Sequence, residues 1–264
     1  MSHRVQVSTL IVGGTAAYGL DVTRWQPQAP PFCLDTPFGP SPAITLLRPW
    51  PQAPAVAFCS RHGQDALKHS AAFLNPRALV WAAHMLGVRN ILSWNGVGAI
   101  SNQLAVGDLL VPHDLLDWTH ARVASFGRER LTTATSPSFA PAARTAILAA
   151  IHDIKQVPGE NIHAQGHYIC TEGPRLETKA EIELFHQLGA DVVGMTLVPE
   201  LFLAQELKIG YASLCYITNF ATGRASGRKQ KRQFGPAVAH TCLPILLRAA
   251  QKRPRGPKPG TSAT

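Results

Sequence analysis

Residues Tyr168 to Gly223, YICTEGPRLETKAEIELFHQLGADVVGMTLVPELFLAQELKIGYASLCYITNFATG, read as strand, loop, helix, strand, helix, strand, with polar residues where each strand ends. Short apolar strands alternating with helices predict an α/β chain. In an open α/β sheet, ligands collect beyond the strand ends, where backbone groups and helix N-termini converge. The stretch offers three such exits. The first is Thr171-Glu172-Gly173-Pro174-Arg175-Leu176-Glu177-Thr178, where Thr178 and Glu181 have the spacing of a capping box. That helix turns Ile182, Phe185 and Leu188 to one face and stops at Gly189. The second exit is Gly194-Met195-Thr196, a hydroxyl at the start of a helix with Pro199 in its first turn. The third, Thr218-Asn219-Phe220-Ala221, follows the apolar run Tyr211 to Ile217.

The same pattern recurs upstream. Val5 to Val12 reads as a buried strand ending in Gly13-Gly14-Thr15, where glycines let the backbone approach an anion beside a hydroxyl. Ala55 to Ser60 is a strand followed by Arg61-His62-Gly63, an Arg fork suited to a tetrahedral oxyanion with a second donor beside it. Ile91 to Trp94 is followed by Asn95-Gly96-Val97-Gly98, and Pro141 to Lys155 is an alanine-rich amphipathic helix.

A chain of 264 residues with 45% hydrophobic content can bury a sizeable core, and a single domain over residues 1–250 is expected. Nowhere do 18 apolar residues run together, so neither a membrane span nor a signal segment is expected. The five cysteines, an odd number without C-x-x-C spacing, suggest neither a disulfide framework nor a metal site and fit a reducing, cytoplasmic setting. The net charge of +9 comes from the C-terminal part: eleven of the 25 Lys and Arg lie from Leu207 onward, where no acidic residue occurs. The body is near neutral. The basic excess sits in Arg224 to Arg232 and in the Pro/Gly-rich tail 251–264, expected to be disordered. The tail has no interleaved aromatic, which argues against a nucleic-acid partner.

The three exits carry EGPRLET, GMTLVPE and TNFATG in order. With these the sequence resembles the trimeric purine nucleoside phosphorylases and methylthioadenosine phosphorylases, over about residues 7 to 223. DTPFGPS at 35–41, RHG at 61–63, NGVG at 95–98 and GDLLVP at 107–112 match further family segments. The resemblance implies a single α/β domain with a central mixed sheet flanked by helices, a homotrimer, no cofactor, and nucleoside with inorganic phosphate as substrates. It implies phosphate binding by Thr15, Arg61, His62, Asn95, Gly96 and Thr196. Met195 would lie under the ribose, and Glu177, Asn219 and Ala221 would meet the purine. The departures are Ala16 for a glycine, Pro76 for a tyrosine, Leu79 for an asparagine, and Pro137 where the family places a histidine that reaches a neighbouring subunit.

Donors and acceptors decide which purine is expected. An ionised Glu177 only accepts; a 6-oxopurine offers N1–H, whereas adenine offers a bare lone pair. Adenine-specific relatives carry a small residue at position 177 and aspartates at 219 and 221, where this chain has Glu, Asn and Ala. Cleavage of inosine, guanosine or 5′-methylthioinosine to base and ribose 1-phosphate derivative is therefore expected, with Glu177 and Asn219 as the catalytic pair. Gln233, in the least family-like segment, is the candidate for the 5′ position. Methylthioadenosine phosphorolysis, or a weakly active binding subunit, are the alternatives. A purely structural role for Glu177, capping or salt-bridging its helix, also stands at this point.

Overall fold

A computed structural model describes residues 7–14, 16–63, 70–127, 136–154, 161–224 and 236–252. The strands are β1 (Thr9–Gly13), β2 (Asp35–Thr36), β3 (Gly39–Pro40), β4 (Ile44–Leu47), β5 (Val56–Ser60), β6 (Asn90–Ala99), β7 (Leu109–Leu110), β8 (Asp114–Trp118), β9 (Ile162–His163), β10 (His167–Thr171), β11 (Val192–Gly194) and β12 (Gly210–Phe220). The helices are α1 (Pro76–Met85), α2 (Pro141–His152), α3 (Lys179–Gln187), α4 (Leu197–Glu206) and α5 (Pro236–Gln251). The main sheet runs β4-β5-β1-β6-β11-β10-β8, with β12 also on β6, and β7 and β9 beyond it. It is mixed, as expected: β4, β7 and β11 each run antiparallel to a neighbour, and the other pairings are parallel.

Period-two alternation sorts the strands' side chains onto the two faces. Leu10, Val12, Ile91 and Tyr211 belong to one core cluster, while Ile11, Leu92 and Ala212 belong to the other. Residues of α1 and α4 pack within the first cluster, and those of α2 and α5 within the second. Truncating a buried side chain such as Ile11 in these layers costs about 2–5 kcal/mol. Among the described residues no helix is long and apolar enough to cross a membrane.

The strand β6 is the hinge of the site. Its first half pairs with β1, Val12 opposite Ser93, and its end pairs with β11, Val193 opposite Gly98. Because β1 runs parallel and β11 antiparallel to β6, the C-terminal ends of both converge on residues 94–97 from opposite directions. Neither strand bonds β6 there. That opening is the crevice predicted for strand exits.

Several local expectations meet their physical cause. Thr178 and Glu181 close a full capping box on α3, and Gly189 takes φ +82 just past its end. Leu188 departs from the expected buried face. It is the C-cap residue and 49% exposed, whereas Ile182 and Phe185 are fully buried. Pro76 is the first residue of α1, where its missing N–H costs nothing, and Asn75 caps it by accepting from the Ala78 amide at 3.0 Å. Asn75 also donates to the Phe38 carbonyl at 2.7 Å, tying the β2–β3 hairpin to α1. Leu79 is buried in the core. The departures at 76 and 79 are thus absorbed by helix packing. Pro137 is exposed. The tail expected from residue 251 starts later, since Gln251 ends α5 and Lys252 pairs with Asp153 at 2.7 Å; residues 253–264 lie outside the described residues.

Candidate active site

A cavity of about 370 Å³ fills the crevice, and its lining includes Gly14, His62, Asn95, Gly96, Glu177, Met195, Thr196, Asn219 and Ala221. Five strand exits therefore meet at one place. Thr15 and Gln233 lie outside the described residues.

Glycines let these exits close on one another. A Cβ at Gly14 would stand 2.5 Å from the Trp94 carbonyl oxygen, and one at Gly173 would stand 2.8 Å from the Met195 sulfur. At Gly98 a Cβ would press on the Asn219 amide nitrogen at 3.3 Å. Asn219 itself is aimed by a register shift in β12: Ile217 lies opposite Val97 and Asn219 opposite Gly98, so Thr218 is the extra residue. Such bulges re-aim side chains. The Thr218 hydroxyl donates to Asn219 Oδ1 at 2.8 Å, and Asn219 Nδ2 donates to the Phe220 carbonyl at 2.8 Å. An amide nitrogen carries two hydrogens, so one remains for a ligand.

Glu177 is buried, and its Oε1 accepts from the Thr171 hydroxyl at 2.6 Å. It neither caps nor salt-bridges α3: the cap is Thr178, and Arg175 pairs with Glu181. The helix-capping alternative for Glu177 is thereby removed.

Arg61 differs from expectation. Its forked edge, Nε with Nη2, lies on the Glu200 carboxylate at 2.8 Å for each bond, so it is not presented to an oxyanion. Nη1 contacts the Trp94 carbonyl at 3.2 Å, Asn95 Oδ1 at 3.0 Å and the Thr196 hydroxyl oxygen at 3.4 Å. Burial alone would favour the neutral guanidinium; the Glu200 carboxylate outweighs this and holds the Arg61 pKa above its ordinary value. Asn95 is wholly engaged through its side chain: Oδ1 accepts from Thr196 and Arg61, and Nδ2 donates to Ser213 at 2.6 Å. Asn95 and Gly96 do not leave the strand as expected: they lie within β6, opposite Cys215 and Tyr216 of β12, and line the cavity from there. Thr196 does not cap α4, because its hydroxyl is turned to Asn95 and Val198 breaks the helical backbone at φ −98, ψ 132. The expected aid from a regular helix N-terminus at Thr196 is corrected accordingly.

Sequence reasoning passed over Glu200, Tyr211, Ser93 and Ser213, which complete this buried network. Tyr211 donates to Glu200 at 2.7 Å, and its oxygen lies 2.9 Å from Ser93, which bonds Ser213 at 2.9 Å. A glutamate in an otherwise apolar helix face, LVPELFLA, was the available signal. Cys170 is a small buried hydrophobe, and burial pushes its thiol pKa up to about 12. Among the described residues, no group of His, Cys, Asp or Glu could hold a metal ion.

A family model described as the phosphorylase superfamily matches residues 28–250. The chain is 39% identical over 214 residues to the probable S-methyl-5′-thioinosine phosphorylase of Methanothermobacter thermautotrophicus, a match covering 80% of this chain and 71% of the other. It is 35% identical over 231 residues to the 6-oxopurine nucleoside phosphorylase of Pyrococcus furiosus, covering 83% and 81%. A solved structure of methylthioadenosine phosphorylase from Schistosoma mansoni in complex with tubercidin superposes with a TM-score of 0.77 at 25% identity, over 92% of this chain and 91% of the other. The chain belongs to the phosphorylase superfamily, in its family of purine nucleoside and methylthioadenosine phosphorylases.

Proposed function

We propose that the chain catalyses phosphate-dependent cleavage of the N-glycosidic bond of 6-oxopurine nucleosides, releasing the base and a ribose 1-phosphate derivative. The observation that carries this reading is the buried Glu177 carboxylate lining the same cavity as Asn219, Met195 and Thr196. Glu177 accepts from purine N1–H, while the spare Asn219 N–H meets the base as the C1′–N9 bond breaks and its electrons pass to the base, which leaves neutral with the proton that hydrogen phosphate gives up. A phosphate oxygen forms the new bond to C1′ from the side of His62, Thr196 and the Gly14, Asn95 and Gly96 backbone. Positioning and electrostatics supply the rate, since the ribosyl centre loosens toward a cation before phosphate bonds to it. Arg61 acts from behind this cradle by holding Asn95 and Thr196. Relatives named for thioinosine and for 6-oxopurine nucleosides support the reading, and inorganic phosphate is the only co-substrate it needs.

Base release from inosine, guanosine, adenosine, methylthioinosine and methylthioadenosine, each with and without phosphate, tests it; adenosine-type substrates cleaved as readily as inosine-type ones would refute the base assignment. The same reading takes the protein as a cytoplasmic homotrimer acting in purine salvage. Exposed Phe73, Val123 and Leu176, the last of them on the cavity wall, support burial against a second copy. Light scattering checks this, and a fully active monomer would overturn it.

A further inference from the structure

Arg122 follows β8 in a loop that does not line the nucleoside cavity, yet its side chain is only 10% exposed. A partly buried arginine usually finds carboxylates or water. This one is spent mainly on backbone. Nη1 donates to the carbonyls of Met195 and, at 2.7 Å, Val198; Nη2 donates to those of Glu172 and, at 3.4 Å, Thr171. Nε donates to Glu172 Oε1 at 3.1 Å, and Glu172 Oε2 accepts from the amides of His120 and Ala121 at 2.7 and 3.2 Å. Carbonyls at strand exits have left the sheet ladder and need other donors. One guanidinium thus serves the exits of β10 and β11 together.

Those exits carry the nucleoside contacts. Thr171, whose carbonyl Arg122 reaches, turns its hydroxyl to Glu177. Met195, whose carbonyl Arg122 also holds, packs its sulfur against Gly173. The side chains of the phosphate side are aimed by a further set of bonds, Thr196 to Asn95 to Arg61 to Glu200, and Arg122 meets that segment only through the Met195 and Val198 carbonyls that bracket Thr196. Building on the function proposed above, we infer that Arg122 is a positioning residue that sets the nucleoside half of the site, while the Arg61–Glu200 network aims the Asn95 and Thr196 side chains of the phosphate half. A lysine cannot replace it, since a single ammonium lacks the planar fork that reaches carbonyls on two loops.

The experiment measures KM for inosine and for phosphate separately in wild type, R122A and R122K, alongside thermal midpoints. A site displaced by about 1 Å loses on the order of 10²-fold in rate, so kcat/KM for inosine should fall by about that factor in R122A with the inosine KM raised. The phosphate KM should rise far less, because the Thr196 hydroxyl keeps its own bond to Asn95. R122K should fold as the wild type does and still show the raised inosine KM, and it carries the test if R122A is too unstable. Methylguanidinium should restore inosine KM in R122A. Both KM values rising together, or a wild-type inosine KM in R122K, would overturn this inference alone. Lack of phosphate-dependent base release by the wild type would overturn the proposed function and this inference with it.

Discussion

Glu200 grips Arg61 through both carboxylate oxygens at 2.8 Å, and the two side chains are 2% and 1% exposed. A buried pair of this kind is held by geometry: its Coulomb gain has to offset two desolvation costs, and here Tyr211, Asn95 and Thr196 satisfy the remaining polar atoms. The pair fixes Asn95 and Thr196 at the cavity wall without turning its own fork to the cavity.

Arg61→Ala should therefore act twice. It leaves a buried carboxylate without its partner, which typically costs about 3–5 kcal/mol, and it frees Asn95 and Thr196 to turn. Urea unfolding should show the first effect. Steady-state kinetics should show the second, as a rise in the phosphate KM much larger than that for nucleoside. Equal rises would remove Arg61 from the phosphate side.

Ala16 stands at φ +78 and is buried at 4% exposure, just past the end of β1. A Cβ in the left-handed region costs roughly 1–2 kcal/mol. Ala16→Gly should recover about 1 kcal/mol, less the entropy glycine adds to the unfolded chain. A raised thermal midpoint with unchanged phosphate KM is the expected result; a lowered midpoint would show that Ala16 is not strained.

How much of this was legible in the sequence depends on which physical signal each residue left. The capping box at Thr178 and the strand exits at 194–196 were readable because cap chemistry and apolar runs are local. The convergence of β1 and β11 on residues 94–97 was not, since nothing local says that β11 runs antiparallel to β6. Glu200 and Arg122 escaped for the same reason. Their partners, Arg61 and the carbonyls of Thr171, Glu172, Met195 and Val198, lie 49 to 139 residues away, and a lone charged residue reads as a surface one until they are in place. Asn219 was recognised from its motif, but the bulge that aims it exists only in the paired strands.

Acid should expose the α3 cap. The Arg175 guanidinium and the Thr178 amide hold Glu181 down from its ordinary 4.5 to about 2. A carboxylate with a lowered folded pKa stabilises fully above its unfolded pKa and loses that contribution as pH falls through the folded one. Between about pH 4.5 and pH 2, then, the stability gap between wild type and Glu181→Gln should shrink, having been constant near neutrality. Both partners reach solvent, so the gap is small at any pH. Urea midpoints measured across this range check it, and a gap that widens toward pH 2 would contradict the cap.

Under the proposed function, base choice turns on Glu177. Thr171 holds Oε1, and among the described residues no other hydrogen bond reaches the carboxylate, which lines the cavity. A 6-oxopurine satisfies it with N1–H and can accept at O6 from Asn219, whereas adenine sets a lone pair against a buried negative oxygen. An unsatisfied buried acceptor costs about 1–3 kcal/mol, and more when charged; a site built for a given donor can reject the analogue lacking it by about 10⁴. Glu177→Gln replaces one acceptor with an amide that can donate to adenine N1. The ratio of kcat/KM for inosine over adenosine should fall, by about tenfold or more if the mutation removes 1.4 kcal/mol of discrimination. Asn219→Asp with Ala221→Asp should lower it further, because two new carboxylates can accept from the 6-amino group and from N7–H. In Glu177→Gln the Thr171 hydroxyl can still donate to the side-chain amide oxygen, so folding should be spared, and a thermal midpoint near wild type checks that the ratio reports the pocket. An unchanged ratio in a well-folded Glu177→Gln would mean that Glu177 does not face the base.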